Sequence, residues 1–351
     1  MATILVTGLT GILMRPLCAL LLKKGHRIVA LVRPKNGRNL ESQDRLFILS
    51  GDIEKPFVDV DANDFSKWKG KIDKIIHAAA STKFFETPDY EIRRINILGT
   101  KNMLDLADKL LIPEFHHIST AYVAGDAENF NENNLDVGQH LRNDYESTKL
   151  EAERLIHKFL GKTSIYRLPI IVGDSKTGNI SSFSGYYGAM HIFSKIAEKK
   201  INTSFHISCS ESGTLNLVPI DWITETMANL TEIPATDKTF HLTHPNPPLV
   251  KEVIKNSIEC LGLNNFTYGK SNGTASRIQT IVDKNLKIYY PYLMKDKESF
   301  GNRNTTESLG EKWVEPPDID KKVIKRLLKF AVEKWRSDSP LLYFNIISII
   351  E

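Results

Sequence analysis

Short runs rich in β-branched residues alternate with amphipathic helical patterns through the first half of the chain, and this alternation constrains the fold more than any other feature. The runs predict strands at 3–7, 27–32, 46–49, 74–78, 114–118 and 164–172. Helical patterns between them cover 16–24, 89–110 and 145–160. Because parallel neighbours need crossover helices, this order predicts an α/β fold with a doubly wound, Rossmann-type parallel sheet.

The alternation of strands and helices ends after Val172. A segment rich in Gly, Ser and Asn covers 173–188, and a proline-rich stretch lies further along the chain at 245–248. Two short strands between them, 215–220 and 239–242, are predicted to return to the sheet. The chain has 351 residues, which allows two domains. We predict a dinucleotide-binding domain from 1–172 and about 214–244, with a smaller C-terminal substrate-binding cap from 173–213 and 245–351.

Composition and charge exclude several classes of protein. The 46 basic and 42 acidic side chains give a net charge of +4, too even for the clustered basic face that nucleic-acid binding requires. Three scattered cysteines are too few for a disulfide framework or a zinc site. No basic segment precedes the first apolar run, and no apolar stretch reaches the ~20 residues that span a bilayer. We expect a cytoplasmic monomer or homodimer without nucleic acid, metal site or transmembrane segment.

A glycine-containing turn, Thr7-Gly8-Leu9-Thr10-Gly11-Ile12-Leu13-Met14, joins the first predicted strand to the first predicted helix. Glycines there let the backbone approach a pyrophosphate, and the helix N-terminus presents free N–H groups to it. We therefore predict cofactor contacts from Thr7, Gly8, Thr10, Gly11, Ile12 and Leu13. Met14 replaces the usual third glycine, which predicts looser helix–strand packing. The alternative is a tight turn without a ligand.

The end of the second strand indicates which dinucleotide binds. Leu31-Val32-Arg33 carries no carboxylate, the group that holds the ribose 2′-hydroxyl of NAD. Arginine suits the 2′-phosphate of NADP, because its guanidinium pairs with phosphate in a bidentate way. Arg33 and Arg15 are both candidates, so we favour NADP(H) as cofactor; the alternative is that either arginine is a solvated surface residue.

A hydroxyl, a phenol and an amine form the candidate catalytic set. Thr120 lies at the end of the fifth strand, while Tyr145 and Lys149 are spaced i, i+4 and so share one helix face. A phenol titrates near ~10, and a neighbouring ammonium is expected to lower that pKa. A threonine hydroxyl beside them can hydrogen-bond a substrate carbonyl oxygen. The preceding His116-His117 pair is expected to place one packed and one polar residue on opposite faces of the strand.

Together these motifs resemble the extended short-chain dehydrogenase/reductase family over about the first 245 residues. Gly51-Asp52-Ile53, His77-Ala78-Ala79-Ala80 and Asn96-Ile97-Leu98-Gly99-Thr100 are similar to further family segments. The resemblance implies that Thr120, Tyr145 and Lys149 form the catalytic triad and that Lys149 grips the nicotinamide ribose. It also implies cofactor contacts from Tyr145, Lys149, Asp52, Ile53, Ala78, Ala79, Ala80, Pro169 and Ile171.

Two stretches narrow the resemblance within that family. His117–Val123 and Arg167–Gly178 are similar to thioester reductase domains and fatty acyl-CoA reductases. This similarity implies NADPH-dependent reduction of a CoA- or carrier-bound acyl thioester to an aldehyde, in some members onward to an alcohol. It implies an acyl thioester substrate and allows an acyl carrier protein as partner. The alternative functions are those of a sugar-nucleotide epimerase or dehydratase, of a ketone or aldehyde reductase, and of a non-catalytic NADP-sensing protein.

A late helical pattern, about 319–335, has a basic face. Its predicted buried stripe is Ile319, Val323, Ile324, Leu327, Leu328, Ala331 and Trp335. Its opposite face carries Lys321, Lys322, Lys325, Arg326 and Lys329. Such a face attracts an acidic carrier domain or simply keeps the protein solvated. The apolar tail at 341–350 is compatible with a dimer contact or with a cover for an acyl tunnel.

Overall fold

The computed structural model describes residues 1–34, 42, 44–201, 203–270, 276–296 and 298–337. The apolar tail at 341–350, and with it both of its predicted roles, lies outside these residues. Two compact units are present. The first contains Met1–Ile171, Asn216–Pro247 and Lys295–Pro317, and the second contains Val172–Leu215, Pro248–Met294 and the chain from Asp318. Among the described residues, no helix is long and apolar enough to cross a membrane.

The strands and helices are short and alternate along most of the chain. The strands are β1 (Thr3–Thr7), β2 (Arg27–Val32), β3 (Leu46–Ser50), β4 (Lys74–His77), β5 (Glu114–Thr120), β6 (Asn129–Phe130), β7 (Lys162–Leu168), β8 (Ile170–Val172), β9 (Phe205–Ser208), β10 (Leu217–Pro219), β11 (Lys238–His241), β12 (Phe266–Gly269) and β13 (Ser299–Phe300). The α-helices are α1 (Met14–Lys23), α2 (Ala62–Trp68), α3 (Glu91–Arg93), α4 (Gly99–Leu110), α5 (Asp144–Ile156), α6 (Tyr186–Glu198), α7 (Ile220–Thr231), α8 (Val250–Cys260), α9 (Arg277–Leu286), α10 (Tyr290–Leu293), α11 (Arg303–Leu309) and α12 (Lys321–Ser337). A π-helical segment, Arg94–Leu98, joins α3 to α4.

The first unit is built on a seven-stranded sheet with the order β11-β7-β5-β4-β1-β2-β3. All of its neighbouring strands pair in parallel, which confirms the predicted doubly wound sheet. The order reverses beside β1, and ligands of such sheets bind at that reversal, outside the carboxyl ends of the strands. The candidate site should therefore lie where β1 and β4 end.

The central strands are apolar at successive positions, because successive side chains point to opposite faces and helices cover both faces of the sheet. One face of the sheet, including Ile4 and Val6, packs against Leu17 and Leu21 of α1 and against α7. The other face, including Leu5, packs against α4. These two buried layers fix α1 against the end of β1, which positions the glycine turn.

Two strand predictions differ from the structure. The predicted strand 164–172 is divided into β7 and β8 at Pro169, which has no N–H to donate to a ladder. The strand predicted at 215–220 shortens to β10, which pairs with β8 outside the main sheet, whereas β11 does join the main sheet.

The segment Lys295–Pro317 belongs to the first unit and not to the C-terminal cap, where it was predicted to lie. A buried carboxylate accounts for this difference. Glu132 accepts hydrogen bonds from the Thr305 N–H at 3.1 Å and the Thr305 hydroxyl at 2.8 Å, at the start of α11. The Lys295 amine donates to the Ala127 carbonyl at 2.8 Å, and β13 pairs with β6. These polar contacts attach the segment to the loop after β5.

The second unit contains α6, α8, α9, α10 and α12 with the two-stranded β9–β12 ladder. The predicted stripe on α12 is buried, together with one residue that lies two positions before the helix. Its members are Ile319, Val323, Ile324, Leu327, Leu328, Ala331 and Trp335. The opposite face of α12 exposes its lysines. This outcome confirms the predicted amphipathic pattern.

Candidate active site

Three polar side chains lie side by side on β1, β4 and β5, at the ends of β1 and β4 and within β5. Thr7 pairs in register with His77, and His77 pairs with His117. The Thr7 hydroxyl oxygen contacts His77 Nδ1 at 2.8 Å and accepts hydrogen bonds from the N–H groups of Ala78 at 3.1 Å and Ala79 at 3.0 Å. Burial lowers the pKa of His77 to about 3, so its ring is neutral. These bonds fix the path of the chain after β4 against the glycine turn.

The glycine turn has the geometry that a pyrophosphate requires. Gly8 has a φ of +77°, and a Cβ added there would lie 3.0 Å from the Ala79 backbone nitrogen. Only glycine therefore combines this conformation with so close an approach to β4. The N-terminus of α1 carries no side-chain cap. Its second residue, Arg15, donates its N–H to the Gly11 carbonyl at 3.5 Å, and its third, Pro16, has no N–H, so the N–H groups for a phosphate would come mainly from the glycine turn.

A cavity of about 230 Å³ lies against this turn. The predicted cofactor residues in its wall are Thr7, Gly8, Thr10, Gly11, Arg33, Ile53, Ala78, Ala79 and Ala80. Its further lining residues are Leu9, Leu31, Val32, Gly51, Glu54 and Ile95. Within the part of the chain that the structure describes, the wall does not include the other predicted contacts, namely Ile12, Leu13, Arg15, Asp52, Tyr145, Lys149, Pro169 and Ile171.

The structure adds two charged residues near the β2 end of this cavity: Glu54 in its wall and Arg94 next to Glu54. Arg33 Nη1 lies 3.7 Å from Glu54 Oε1. The other oxygen of Glu54 accepts a hydrogen bond from Arg94 Nε at 2.8 Å. Glu54 was not predicted because the segment recognised in the sequence, Gly51–Ile53, ends one residue before it. Arg94 lies 40 residues further along the chain, and only the folded sheet brings the two together.

The three predicted catalytic residues are brought together by β5 and α5. Helix α5 begins after Asn143, whose side chain caps the Glu146 N–H at 3.0 Å. This start places Tyr145 in the first turn, where its phenol is within hydrogen-bonding reach of the Thr120 side chain. The Thr120 hydroxyl itself donates to the Leu168 carbonyl at 3.3 Å. Burial raises the pKa of Tyr145 to about 12, and the hydrogen bond with Thr120 opposes that rise. The phenol therefore keeps its proton through the neutral range.

Lys149 lies one turn after Tyr145 and is buried. Its ammonium donates to the Ile118 carbonyl at 2.6 Å and contacts His117 Nε2 at 3.2 Å. Burial lowers the pKa of Lys149 to about 8, while the Glu153 carboxylate favours the charged form. The expected lowering of the Tyr145 pKa by this ammonium is not found: burial raises that pKa, and Lys149 is not among the groups that shift it.

A buried ion pair lies behind Lys149. Glu153 follows it by one further turn of α5 and pairs with Arg167 of β7, with Nη2 to Oε2 at 2.7 Å, and both side chains are fully buried. The Ser119 hydroxyl also donates to Glu153. The i+4 spacing after Lys149 was the only sequence signal for Glu153.

Both histidines of the 116–117 pair are buried, which differs from the expected one packed and one polar residue. His116 Nδ1 contacts the Tyr166 hydroxyl at 2.8 Å, and His117 Nε2 contacts Lys149. Helices cover both faces of the sheet, so neither side of β5 faces solvent.

The π-helical segment supports the same region. The Asn96 side-chain amide donates to the Ser81 carbonyl and to the Thr148 hydroxyl, both at 3.0 Å. Thr100, two residues beyond the segment, contacts His77 Nε2 at 3.2 Å. Through Asn96, the segment thus connects Ser81, which follows β4, to Thr148 of α5, the residue before Lys149.

A Rossmann-type sheet, a glycine turn after β1 and a Tyr–Lys pair on α5, together with the family match of residues 6–227, identify an oxidoreductase of the extended short-chain dehydrogenase/reductase class, with a site for a nicotinamide dinucleotide. Residues 6–227 match the NAD-binding family described as "Male sterility protein", and the chain belongs to that family.

Similar proteins share this architecture. A terminal R domain from the myxalamid PKS-NRPS pathway superposes with a TM-score of 0.76 at 22% identity, covering 97% of this chain and 92% of that one. A thiolation-reductase di-domain from an archaeal non-ribosomal peptide synthetase gives a TM-score of 0.68 at 18% identity, with 95% and 76% covered. Fatty acyl-CoA reductase 1 of Gallus gallus is 28% identical over 144 residues, which cover 34% of this chain and 28% of that protein. The chain spans 3% to 28% of the length of the curated relatives it matches.

Proposed function

We propose that the protein reduces an acyl thioester, bound to CoA or to a carrier protein, to an aldehyde with NADPH. The observation that carries this proposal is the joint position of Thr120, Tyr145 and Lys149 at the carboxyl end of β5. The similarity to a thiolation-reductase di-domain and to a fatty acyl-CoA reductase supports a thioester substrate. Arg33 in the cavity wall supports NADPH over NADH.

The chain's own residues would hold the cofactor and the substrate oxygen. Backbone N–H groups of the glycine turn would bind the pyrophosphate, and Lys149 would bind the nicotinamide ribose. A bound reduced nicotinamide supplies the hydride that the thioester carbonyl carbon accepts. Thr120 and Tyr145 would donate hydrogen bonds to the carbonyl oxygen as it gains negative charge.

Tyr145 would then give its proton to that oxygen, because its pKa of about 12 keeps it in the acid form. The resulting hemithioacetal would collapse to the aldehyde, with its hydroxyl proton lost as the carbonyl re-forms and the leaving thiolate taking up one proton. The Tyr145 phenolate would regain its proton from solvent, so the net reaction consumes one proton. No cysteine nucleophile is needed. Reduction of the aldehyde to the alcohol would need a second reduced nicotinamide and would use the same proton donor, Tyr145.

Helix α12 supports a carrier protein as the source of the thioester. Its 17 residues include seven basic and one acidic side chain, a net charge of +6. Lys321 pairs with Glu259 at 2.6 Å, whereas Lys322, Lys325 and Lys329 extend along the exposed face. Carrier domains are acidic, so this face would attract one over long range.

The proposal is tested by following NADPH oxidation with three sets of substrates and identifying the products. The sets are acyl-CoA thioesters, carrier-bound acyl groups, and free aldehydes and ketones. Aldehyde formation from a thioester, abolished in Tyr145→Phe, is the expected result. Turnover of ketones or sugar nucleotides without any thioester turnover would contradict the proposal.

A further inference from the structure

The cavity wall at the β2 end contains a carboxylate beside the arginine that favours NADPH. Glu54 is 19% exposed and Arg33 is 39% exposed, and both line the cavity. A phosphate that approaches Arg33 therefore also approaches Glu54, whose negative charge opposes it. The 3.7 Å separation of Arg33 and Glu54 is longer than a hydrogen bond, so Arg33 is not fully engaged by this partner.

Arg94 engages the same carboxylate more closely. Its Nε donates to Glu54 Oε2 at 2.8 Å, and its Nη1 lies 3.0 Å from Asp89 Oδ2. Arg94 is the first residue of the π-helical segment, and its neighbour Ile95 lines the cavity. Two guanidinium groups thus flank the Glu54 carboxylate. Because Asp89 also pairs with Arg94, these four side chains are neutral together, and the charge of Glu54 is balanced before a phosphate reaches Arg33.

We propose that Arg94 is a specificity-determining residue, which makes the adenosine end accept a 2′-phosphate by neutralising Glu54. Without Arg94, the free Glu54 carboxylate repels a phosphate and can instead accept hydrogen bonds from ribose hydroxyls, as an acidic residue does in NAD-binding sites. The inference rests on the proposed use of NADPH. It makes Arg33 necessary but not sufficient for that preference.

The test measures the Kd of NADPH and NADH by direct binding, without turnover, in the full chain and four variants. These are Arg94→Gln, Glu54→Gln, the double variant with both changes, and Arg93→Gln. Arg93 is the matched control, because it is an adjacent arginine that pairs with Glu151 at 3.2 Å and does not line the cavity among the described residues.

Arg94→Gln should weaken NADPH binding roughly tenfold while NADH binds as before or more tightly, as expected for an unneutralised charge a few ångströms from a phosphate. Glu54→Gln should bind NADPH at least as tightly as the parent chain. The double variant should recover NADPH binding to within about threefold of the parent, because the repulsive charge is gone. Arg93→Gln should leave both Kd values unchanged.

Equal weakening of both cofactors in Arg94→Gln, or no recovery in the double variant, would overturn this inference and leave the proposed function standing. A parent chain that binds NADH as tightly as NADPH, or that binds neither, would overturn both. Recovery in the double variant also separates the electrostatic role from a folding defect, since a merely structural Arg94 would not be rescued by removing its partner.

Discussion

Burial displaces the pKa values of the two neighbouring residues Tyr145 and Lys149 in opposite directions. The pKa of the Tyr145 phenol is raised to about 12, and the pKa of the Lys149 ammonium is lowered to about 8. Tyr145 is thus a proton donor at any physiological pH, whereas Lys149 carries its charge only below about pH 8. The group that limits the site at alkaline pH is therefore the lysine.

We expect kcat/KM to fall as pH rises through about 8, because deprotonation of Lys149 removes the positive charge from the site. A pH–rate profile between pH 6 and 10 measures this limb. Lys149→Arg keeps the charge at every pH tested, so any activity it retains should not fall near pH 8. A parent profile that stays flat to pH 10 would show that the Lys149 charge is not needed.

Tyr145→Phe should reduce turnover by ~10² or more while folding and NADPH binding survive, because only the proton donor is removed. Thr120→Val should lower the rate less, since a water molecule can replace the hydroxyl. Single-turnover kinetics and a cofactor-binding titration separate the two effects. The same Tyr→Phe change at Tyr268, on β12 of the second unit, provides the control and should leave turnover unaltered. Near-full activity in Tyr145→Phe would show that another group donates the proton.

Arg33→Asp should weaken NADPH binding by about 2 kcal/mol or more, because it replaces a charge-assisted bond by a like charge. NADH binding should change little, and the two Kd values measure the difference. Arg15→Asp should have a smaller effect, because Arg15 is exposed and outside the cavity wall formed by the described residues. A larger effect at Arg15 than at Arg33 would place the 2′-phosphate at the glycine turn instead.

Helix α5 connects the catalytic candidates to the centre of the sheet. Tyr145, Lys149 and Glu153 follow one another at intervals of one turn, and each meets a different partner on β5: Thr120, Ile118 and Ser119. Arg167 of β7 completes this arrangement by pairing with Glu153. The angular position of α5 over the sheet is thus fixed by polar contacts that are buried.

Glu153→Gln should lower the free energy of unfolding by about 3 kcal/mol or more, because it leaves the fully buried Arg167 without a counter-charge. Denaturant titration measures this change. The matched control is Glu151→Gln on the same helix, whose carboxylate is 40% exposed and pairs with Arg93. That change should cost less than about 1 kcal/mol. Equal losses at the two positions would mean that the buried pair contributes no more than a surface pair.

Sequence patterns predicted what depends on neighbours along the chain. Strands β1 and β2 have the predicted bounds, and Tyr145 and Lys149 share a helix as their spacing requires. Contacts between distant segments were not predictable, because they depend on sheet order and register. Arg94 meets Glu54 only after β1 has paired with β4 and β2, and β2 with β3. Arg167 meets Glu153 only after β5 has paired with β7.

Charge is distributed unevenly over the whole molecule. The net charge of the chain is +4, and α12 alone contributes +6, so the remaining residues together carry −2. A chain that is nearly neutral outside one helix can attract an acidic partner to that helix without attracting anions generally. The attraction should weaken with salt, because exposed charges are screened over about 8 Å at physiological ionic strength.

Changing Lys322, Lys325 and Lys329 to Glu should raise KM for a carrier-bound thioester, most strongly at low salt. A short, soluble thioester should be turned over as before, which serves as the internal control. Steady-state kinetics at two salt concentrations measures both substrates. Equal effects on the two substrates, or no effect on either, would show that the basic face only solvates the helix.

The π-helical segment Arg94–Leu98 also determines how this chain can vary in length. A π turn contains about one residue more than an α-helical turn, so deletion of one residue there would restore a regular helix and leave the residues before and after the segment in nearly the same places. Arg94 could then keep its contact with Glu54 while Thr100 keeps its contact with His77. A one-residue deletion within the regular helix α4 would instead rotate everything after it by roughly 100°. Related chains should therefore differ in length by a single residue more readily at this segment than within α4.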